Sequence, residues 1–478
     1  MRDYALIYIN GIRQEIRGEQ ARLSLSDFLR RRMGLIGTKI VCSEGDCGAC
    51  SVLVGRSTDQ GLRYLAVDSC IQFLFQLDCT HVVTIEGLAQ AGELSAIQQA
   101  MIDCHGSQCG FCTPGFVMTM TGMSENGCVA QAEGLKYGLT GNLCRCTGYT
   151  AIIEAGLAAG GKEQQQRLSE SFPPAPLLAD FAAHENDDIL STDSAGKSVA
   201  CPHSLPAALS YLKEHPQAMI VSGATDIGVR VNKGLQLPET LLDLNRLTEL
   251  TNIELIDEQL VIGARASWTA VEAAYQDLAP AFHRVLNLFG SPQIRNVGTI
   301  GGNLINASPI ADSLPFLHVM DAGLELSSEA GQRTVNINSF YQGYKKFDLR
   351  PGELLTKISV PLPEESDLLG LYKVSRRRDL DISSFTAAVK LRLDGNTIAQ
   401  AAIALGAVGP IVLRARQTES FLIGREFSEA TVREAGDRAV AEVTPISDVR
   451  GSADYRWQLT RNVLVKFFLE NQPDAVLV

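Results

Sequence analysis

Eight of the twelve cysteines in this 478-residue sequence fall into two sets of four. Cys42, Cys47, Cys50 and Cys70 read C-x4-C-x2-C followed by a distant fourth member. Cys109, Cys112, Cys144 and Cys146 read as a C-x2-C and a C-x-C separated by residues 113–143. A thiolate is a soft, anionic donor, and four of them brought together hold zinc or iron.

The first set narrows that choice. Three of its members come from one loop, residues 42–50, in which Gly45 and Gly48 lack the Cβ that blocks left-handed turns. Such a loop can wrap tightly and aim its N–H groups at sulfur. Zinc modules favour paired C-x2-4-C knuckles, whereas this spacing is that of a plant-type 2Fe-2S site. The second set is read from its context. Thr113 and Pro114 follow Cys112 as a capping residue and an N1 proline, so a helix should start there. Cys144 to Tyr149 likewise precedes the apolar run Ile152, Ile153, Leu157. Helix N-termini facing an anionic cluster are favourable, yet spacing and capping leave both a four-cysteine zinc site and a 2Fe-2S site open for this set. Cys79, Cys104, Cys128 and Cys201 show no ligand pattern and read as free buried thiols. Clustered thiols without a secretory signal predict a reducing, cytoplasmic setting and no disulfides.

The elements that must position these residues divide the chain. Residues 1–86 alternate β-like runs (Tyr4–Ile9, Ser51–Val54, Val82–Ile85) with a helical stretch over Leu25–Arg32, and Asn10-Gly11 reads as a hairpin turn. Residues 87–160 turn helical over Ile97–Ile102, Phe116–Met123 and Ile152–Ala159, predicting a small bundle with the second cysteine set at helix ends. Residues 161–197 are polar and proline-rich, the composition of a linker. Residues 198–365 and 366–478 read as two α+β lobes, with a helix at Leu205–Leu212, strands at Ala387–Leu393 and Ala401–Gly406, and helices near Glu429–Glu442 and Tyr455–Phe468. A hydrophobic content of 45% supports real cores, and no apolar run has membrane-span length. The formal charge of −12 argues against nucleic acid as a partner.

Two loops of small residues, Ser222-Gly223-Ala224-Thr225-Asp226 and Thr299-Ile300-Gly301-Gly302-Asn303, have the composition of backbone phosphate cradles. Neither is a G-x-G-x-x-G fingerprint or a P-loop, and glycine turns that merely join strands are the plain alternative. The seven histidines show no ligand spacing and no Ser-His-Asp or paired-carboxylate arrangement can be argued. Substrate chemistry is therefore expected on another chain.

The motifs Gln108-Cys-Gly-Phe-Cys-Thr-Pro-Gly115, Cys144-Arg-Cys-Thr-Gly-Tyr149 and Gln293-Ile-Arg-Asn-Val-Gly-Thr-Ile-Gly-Gly-Asn303, leading into Ala307-Ser-Pro-Ile-Ala-Asp312, carry a family resemblance. With them nearly the whole chain resembles the iron–sulfur and FAD small subunits of bacterial xanthine dehydrogenases, within the molybdenum hydroxylase family. The resemblance implies an α+β multidomain fold: a plant-type ferredoxin β-grasp domain, a helical-bundle 2Fe-2S domain, and a two-lobed FAD-binding domain of the vanillyl-alcohol-oxidase/PCMH type with a C-terminal α+β domain. It implies that both cysteine sets hold 2Fe-2S clusters. It places FAD against Ile220, Val221, Ser222, Gly223, Ala224, Thr225, Asp226 and Ile227, against Phe289, against Thr299, Ile300, Gly301, Gly302 and Asn303, and against Asp312, Leu355 and Lys373. Gln108 and Cys144 would face the pterin of a molybdenum cofactor on a large partner subunit, in a heterotetramer or larger. Arg376, Arg377 and Asp379 would line the approach of NAD. Electrons from hypoxanthine or xanthine would then reach the second cysteine set, the first set, FAD and finally NAD. The same architecture serving another hydroxylase (for aldehydes, nicotinate or aromatic acyl-CoA) is the nearest alternative, followed by a free-standing electron carrier and a zinc-stabilised interaction protein. One departure from the pattern is Gly223-Ala224, where many relatives have Gly-Gly.

Overall fold

The continuous apolar run Tyr4–Ile9 buries both of its faces, Ala5, Ile7 and Ile9 on one and Leu6 on the other, within a five-stranded sheet whose order is Ile12–Arg17, Tyr4–Ile9, Thr80–Val83, Ser51–Thr58, Gly61–Asp68. A computed structural model describes residues 1–90, 92–127, 131–160 and 167–472 of the chain. Tyr4–Ile9 runs parallel to Thr80–Val83, and the other pairings are antiparallel. The predicted turn is present, with Asn10 and Gly11 both at positive φ (49° and 80°), as a two-residue hairpin requires. The returning strand Ile12–Arg17, a mostly exposed edge of sequence IRQEIR, carries no apolar alternation that would mark it in the sequence. Helix Leu25–Arg31, capped by Ser24 Oγ accepting from Asp27 N–H at 3.2 Å, buries Leu25, Phe28 and Leu29 against Ile7, Ile9 and Val52.

The bundle consists of Ala96–Asp103, Thr113–Glu125, Ala132–Gly138 and Thr150–Gly160. Its core of Met101, Phe116, Met120, Leu135 and Ile152 also takes in Leu53 and Val83 of the sheet. Within the stretch read as a linker, residues 161–166 lie outside the described residues, and the rest is ordered: helices Leu168–Ser171 and Pro174–His184 lead to strand Ile189–Thr192. The prolines that suggest a linker stand at the cap (Pro173) and in the first turn (Pro174, Pro176) of the second helix, where a missing N–H costs nothing. Leu177 and Phe181, one turn apart, bury against Leu6. A four-stranded sheet follows, in the order Ile189–Thr192, Ser198–Cys201, Thr240–Asp243, Met219–Val221, with helix Leu205–Glu214.

These elements form one compact unit, residues 1–249 with 290–298; residues 250–289 and 299–478 form a second. In the second unit, an antiparallel sheet of order Ile253–Ile256, Gln259–Gly263, Leu354–Pro361, Gly323–Ser328, Gly331–Asn336 shares a core with Trp268, Tyr275, Phe282 and Phe316. A four-stranded sheet (Asp367–Val374, Phe385–Asp394, Thr397–Gly406, Leu413–Arg414) is covered by helices Arg416–Leu422, Glu429–Ala441 and Ala453–Glu470. Among the described residues no helix is long and apolar enough to cross a membrane. The fold is a mixed α+β multidomain architecture with no barrel among those residues.

Candidate iron–sulfur and flavin sites

Loop 42–50 is bent by left-handed residues at Ser43 (φ 56°), Gly45 (φ 70°) and Gly48 (φ 66°). Its curvature turns backbone donors onto sulfur: the N–H of Glu44 meets Cys42 Sγ at 3.4 Å, Asp46 N–H joins it, and Ala49 N–H bonds Cys47. The Cys42 thiol pairs with those of Cys47 and Cys70, and Cys70 pairs with Cys50. Those thiol contacts, then the loop N–H groups, hold Cys42 well below its ordinary value. Cys50 and Cys70 are only 2% and 3% exposed, sealed by Ile71, Val229 and Ile294. Beside them Asp68 is fully buried; burial, then the Cys42 charge, lifts its carboxyl to about 7.

The second set is more open. Cys109 and Cys146 are exposed with their sulfurs 3.6 Å apart, while Cys112 pairs with buried Cys144. Burial opposes ionisation of Cys144, but the Thr147 hydroxyl and the N–H groups of Thr147 and Cys146 outweigh it and hold the thiol lower than usual. Helices do begin at this set, at Thr113 and Thr150. The expected cap is corrected: Cys112 itself occupies the cap position and Thr113 is the first helical residue, its hydroxyl turned to Ser107 Oγ at 2.9 Å. Proline follows at the second helical position, and its fixed φ suits the first turn equally well. Among the described residues no three Cys, His, Asp or Glu groups are placed to share one ion. Each set gathers four thiols, the number a 2Fe-2S cluster takes. Converging N–H donors suit the negative charge of such a cluster.

The two loops interlock. Leu143 N–H donates to Cys47 C=O at 3.0 Å, joining the residue before Cys144 to a member of the first set. A Cβ on Gly48 would lie 2.3 Å from Gly141 C=O, and one on Gly115 would lie 2.1 Å from Gly48 C=O, so these two positions are compelled to be glycine by backbone contact. Of the other cysteines, Cys79 and Cys104 are half-buried, Cys201 is buried, and Cys128 lies outside the described residues.

The two glycine loops differ in what they offer a phosphate. In the first unit, Gly223 is held against the backbone, where a Cβ would meet Val297 C=O at 2.2 Å. Ala224 takes φ 58°, a left-handed conformation that costs alanine about 1 kcal/mol. No acceptor for the N–H groups of Gly223, Ala224 or Thr225 occurs among the described residues. Ile220 and Val221 end the preceding strand, and Asp226 and Ile227 begin helix Ile227–Asn232. In the second unit the loop's donors are already used: Ile300 and Gly301 N–H bond Ala266 and Ala264 C=O, Gly302 N–H bonds Thr299 Oγ1, and Asn303 N–H bonds Thr299 C=O. There the expected cradle of successive free N–H groups is absent, because Thr299 caps a short helix, Ile300–Asn306, and the glycines pack on Ala264.

Asp312 and Lys373, singled out separately along the chain, meet: Lys373 Nζ donates to Asp312 Oδ2 at 2.6 Å, and Ser383 Oγ donates to the other oxygen at 2.5 Å. Phe289 packs on Trp268 with ring centroids 4.8 Å apart, and Leu355 lies in the same apolar core. Arg376 and Arg377 are exposed in the turn after Asp367–Val374, with Asp379 half-buried beside them; Arg377 N–H bonds Asp381. Gln108 is exposed next to Cys109. Sequence reasoning passed over Asp68, Asn142 and Gln293 as individual residues, since a buried polar group carries no spacing signature.

Four family models match in chain order: a 2Fe-2S iron-sulfur cluster binding domain over residues 7–74, a [2Fe-2S] binding domain over 84–157, an FAD binding domain in molybdopterin dehydrogenase over 194–363, and a CO dehydrogenase flavoprotein C-terminal domain over 370–471. Domains and site together define an iron–sulfur flavoprotein that moves electrons. Xanthine dehydrogenase 1 of Arabidopsis thaliana is 29% identical over 97% of this chain, which spans 39% of that protein's length. Among solved structures, CO dehydrogenase from Oligotropha carboxidovorans is 30% identical, with a TM-score of 0.52 over 56% of this chain and 93% of that one. Quinoline 2-oxidoreductase from Pseudomonas putida 86 is 28% identical, with a TM-score of 0.53 over 56% and 94%. The chain belongs to the molybdenum hydroxylase family, as its iron–sulfur and flavin electron-transfer part.

Proposed function

We propose that the chain is the electron-transfer subunit of a cytoplasmic xanthine dehydrogenase, serving a large subunit that carries the molybdenum cofactor and oxidises hypoxanthine or xanthine to urate. The observation that carries this reading is the gradient of exposure, from Cys109 and Cys146 at the surface to Cys50 and Cys70 in the interior, with the two sets joined at Leu143 and Cys47. Cys109, Cys112, Cys144 and Cys146 would hold the cluster nearer the partner, and Cys42, Cys47, Cys50 and Cys70 the inner one. When bound, such clusters carry electrons singly, and a flavin collects two for delivery to NAD. Exposed Gln108, Phe111, Leu143 and Tyr149 ring the second set and offer the partner an apolar landing with a polar amide. The N–H groups of Gly223, Ala224 and Thr225 would hold the FAD pyrophosphate, and the family resemblance adds Thr299–Asn303, Asp312 and Lys373 as flavin contacts. Arg376, Arg377 and Asp379 would receive NAD.

The test is anaerobic purification with the large subunit, with visible spectra recorded before and after xanthine and then NAD. Bleaching by xanthine, reversed by NAD, with about four irons and one FAD per chain is the expected result. Bleaching only by another heterocycle or an aldehyde would keep the electron path and change the substrate, a reading favoured to that extent by the CO dehydrogenase and quinoline oxidoreductase likeness. Absence of iron would overturn the proposal.

A further inference from the structure

Residues 290–298 belong to the first unit although the chain on both sides of them belongs to the second. This strap touches both cysteine domains at successive residues. Ile294 packs on Cys50, Cys70 and Ile71. Arg295 Nη2 donates to Tyr137 of the bundle at 2.7 Å, and Asn296 Nδ2 donates to Ala66 C=O of the sheet at 2.9 Å. At its centre Gln293 is completely buried. Its Nε2 faces three acceptors: Asn142 Oδ1 at 2.9 Å, Thr119 Oγ1 at 3.2 Å and Ser51 Oγ at 3.3 Å.

Those three acceptors are placed tellingly. Ser51 follows Cys50, Thr119 lies on the helix capped by Cys112, and Asn142 stands two residues before Cys144 while also donating to Gly48 C=O at 3.2 Å. An amide nitrogen has two hydrogens for three acceptors, and Gln293 Oε1 has no partner. Buried polar groups left short of partners weaken a fold, and an apolar residue of similar size would pack there without that penalty. Gly141 is part of the arrangement, since a Cβ there would fall 1.9 Å from Gln293 Oε1.

We infer that Gln293 is a positioning residue for electron transfer, holding the two cysteine loops at one fixed separation and orientation. The inference rests on the reading of both loops as cluster sites. Electron tunnelling falls exponentially with distance, so a polar clamp that costs stability is repaid by a constant gap. Directional hydrogen bonds to Asn142, Thr119 and Ser51 tie the strap to residues beside both cysteine sets, where an apolar contact would slide.

The experiment uses the full chain, reduced with dithionite, and the variants Gln293→Met and Thr119→Val. Gln293→Met keeps volume and removes the amide; Thr119→Val removes one acceptor and is the gentler change. Iron content and the individual potentials of the two clusters should match the parent chain, while the electron paramagnetic resonance splitting between the two reduced clusters changes and inter-cluster transfer after rapid mixing slows about tenfold in Gln293→Met and less in Thr119→Val. Unchanged splitting and rate in both variants, with both clusters present, would overturn the role of Gln293. A parent chain without two reducible clusters would instead overturn the functional reading on which it rests.

Discussion

The two cysteine sets are built on opposite plans. The first is a loop closed by packing: Gly45 and Gly48 are left-handed and also pressed against neighbours, Ile71 in one case and Gly141 and Asn142 in the other. The second is held by helix starts and has open surroundings. Gly110 (φ 79°) finds nothing nearer than Ser107 Oγ at 3.7 Å, and Gly148 (φ 69°) has nothing within 4 Å. On the reading proposed above the difference has a use: a redox site that meets a partner needs access, whereas one inside a relay needs exclusion of water and fixed geometry.

The largest break in that comparison comes from deleting a sulfur. If the chain serves as proposed, Cys47→Ser should abolish NADH formation by the assembled enzyme and leave substrate reduction of molybdenum on the large subunit intact, read by stopped-flow spectroscopy. Next come the glycines. Gly48→Ala combines a left-handed strain with a backbone clash at 2.3 Å and should cost about 3–4 kcal/mol, against about 1 kcal/mol for Gly110→Ala, where only the strain applies. Denaturant melts of the two variants check this, and equal costs would erase the distinction.

Acid should separate the two domains as well. His81, buried on strand Thr80–Val83 of the first sheet, accepts the Gly11 N–H through Nε2 at 3.1 Å and contacts Tyr64 OH through Nδ1 at 2.6 Å; burial lowers it from 6.5 to about 4. Between those values the unfolded chain binds a proton that the folded chain refuses. The His81 contribution to stability is therefore full above pH 6.5 and is lost as pH falls toward 4, by up to about 3 kcal/mol, while buried Asp68, raised to about 7, acts in the opposite sense over the same window. His81→Gln should flatten that slope in melts taken across the window. The smallest effect is kinetic: under a chelator, iron should leave the exposed Cys109 and Cys146 side severalfold faster than the buried first set, followed as successive loss of two resonance signals.

Much of this was legible in the chain itself, for physical reasons that differ by region. Cysteine spacing is local and survives any tertiary arrangement, so both sets were visible, as were Tyr4–Ile9 with its Asn10-Gly11 turn and the strongly periodic Phe116–Met123. The edge strand Ile12–Arg17 was hidden because its exposed face removes the apolar alternation. Prolines at 173, 174 and 176 read as linker, since composition does not say whether a proline opens a helix or breaks one; Leu177 and Phe181 decided it by burial. The pairing of Asp312 with Lys373, and the meeting of Gln293 with Asn142, join residues far apart in sequence and needed the fold. Composition also does not show how the Thr299–Asn303 turn uses its N–H groups, because glycines that pack on Ala264 look the same in sequence as glycines that admit a phosphate.

The central claim is that this one chain holds two distinct 2Fe-2S clusters on the two cysteine sets. Low-temperature electron paramagnetic resonance of the dithionite-reduced chain, beside Cys47→Ser and Cys109→Ser, tests it most directly. Two separate signals are expected, one lost in each variant while the other persists. A single signal, signals that vanish together in both variants, or a colourless zinc-bearing chain would contradict it.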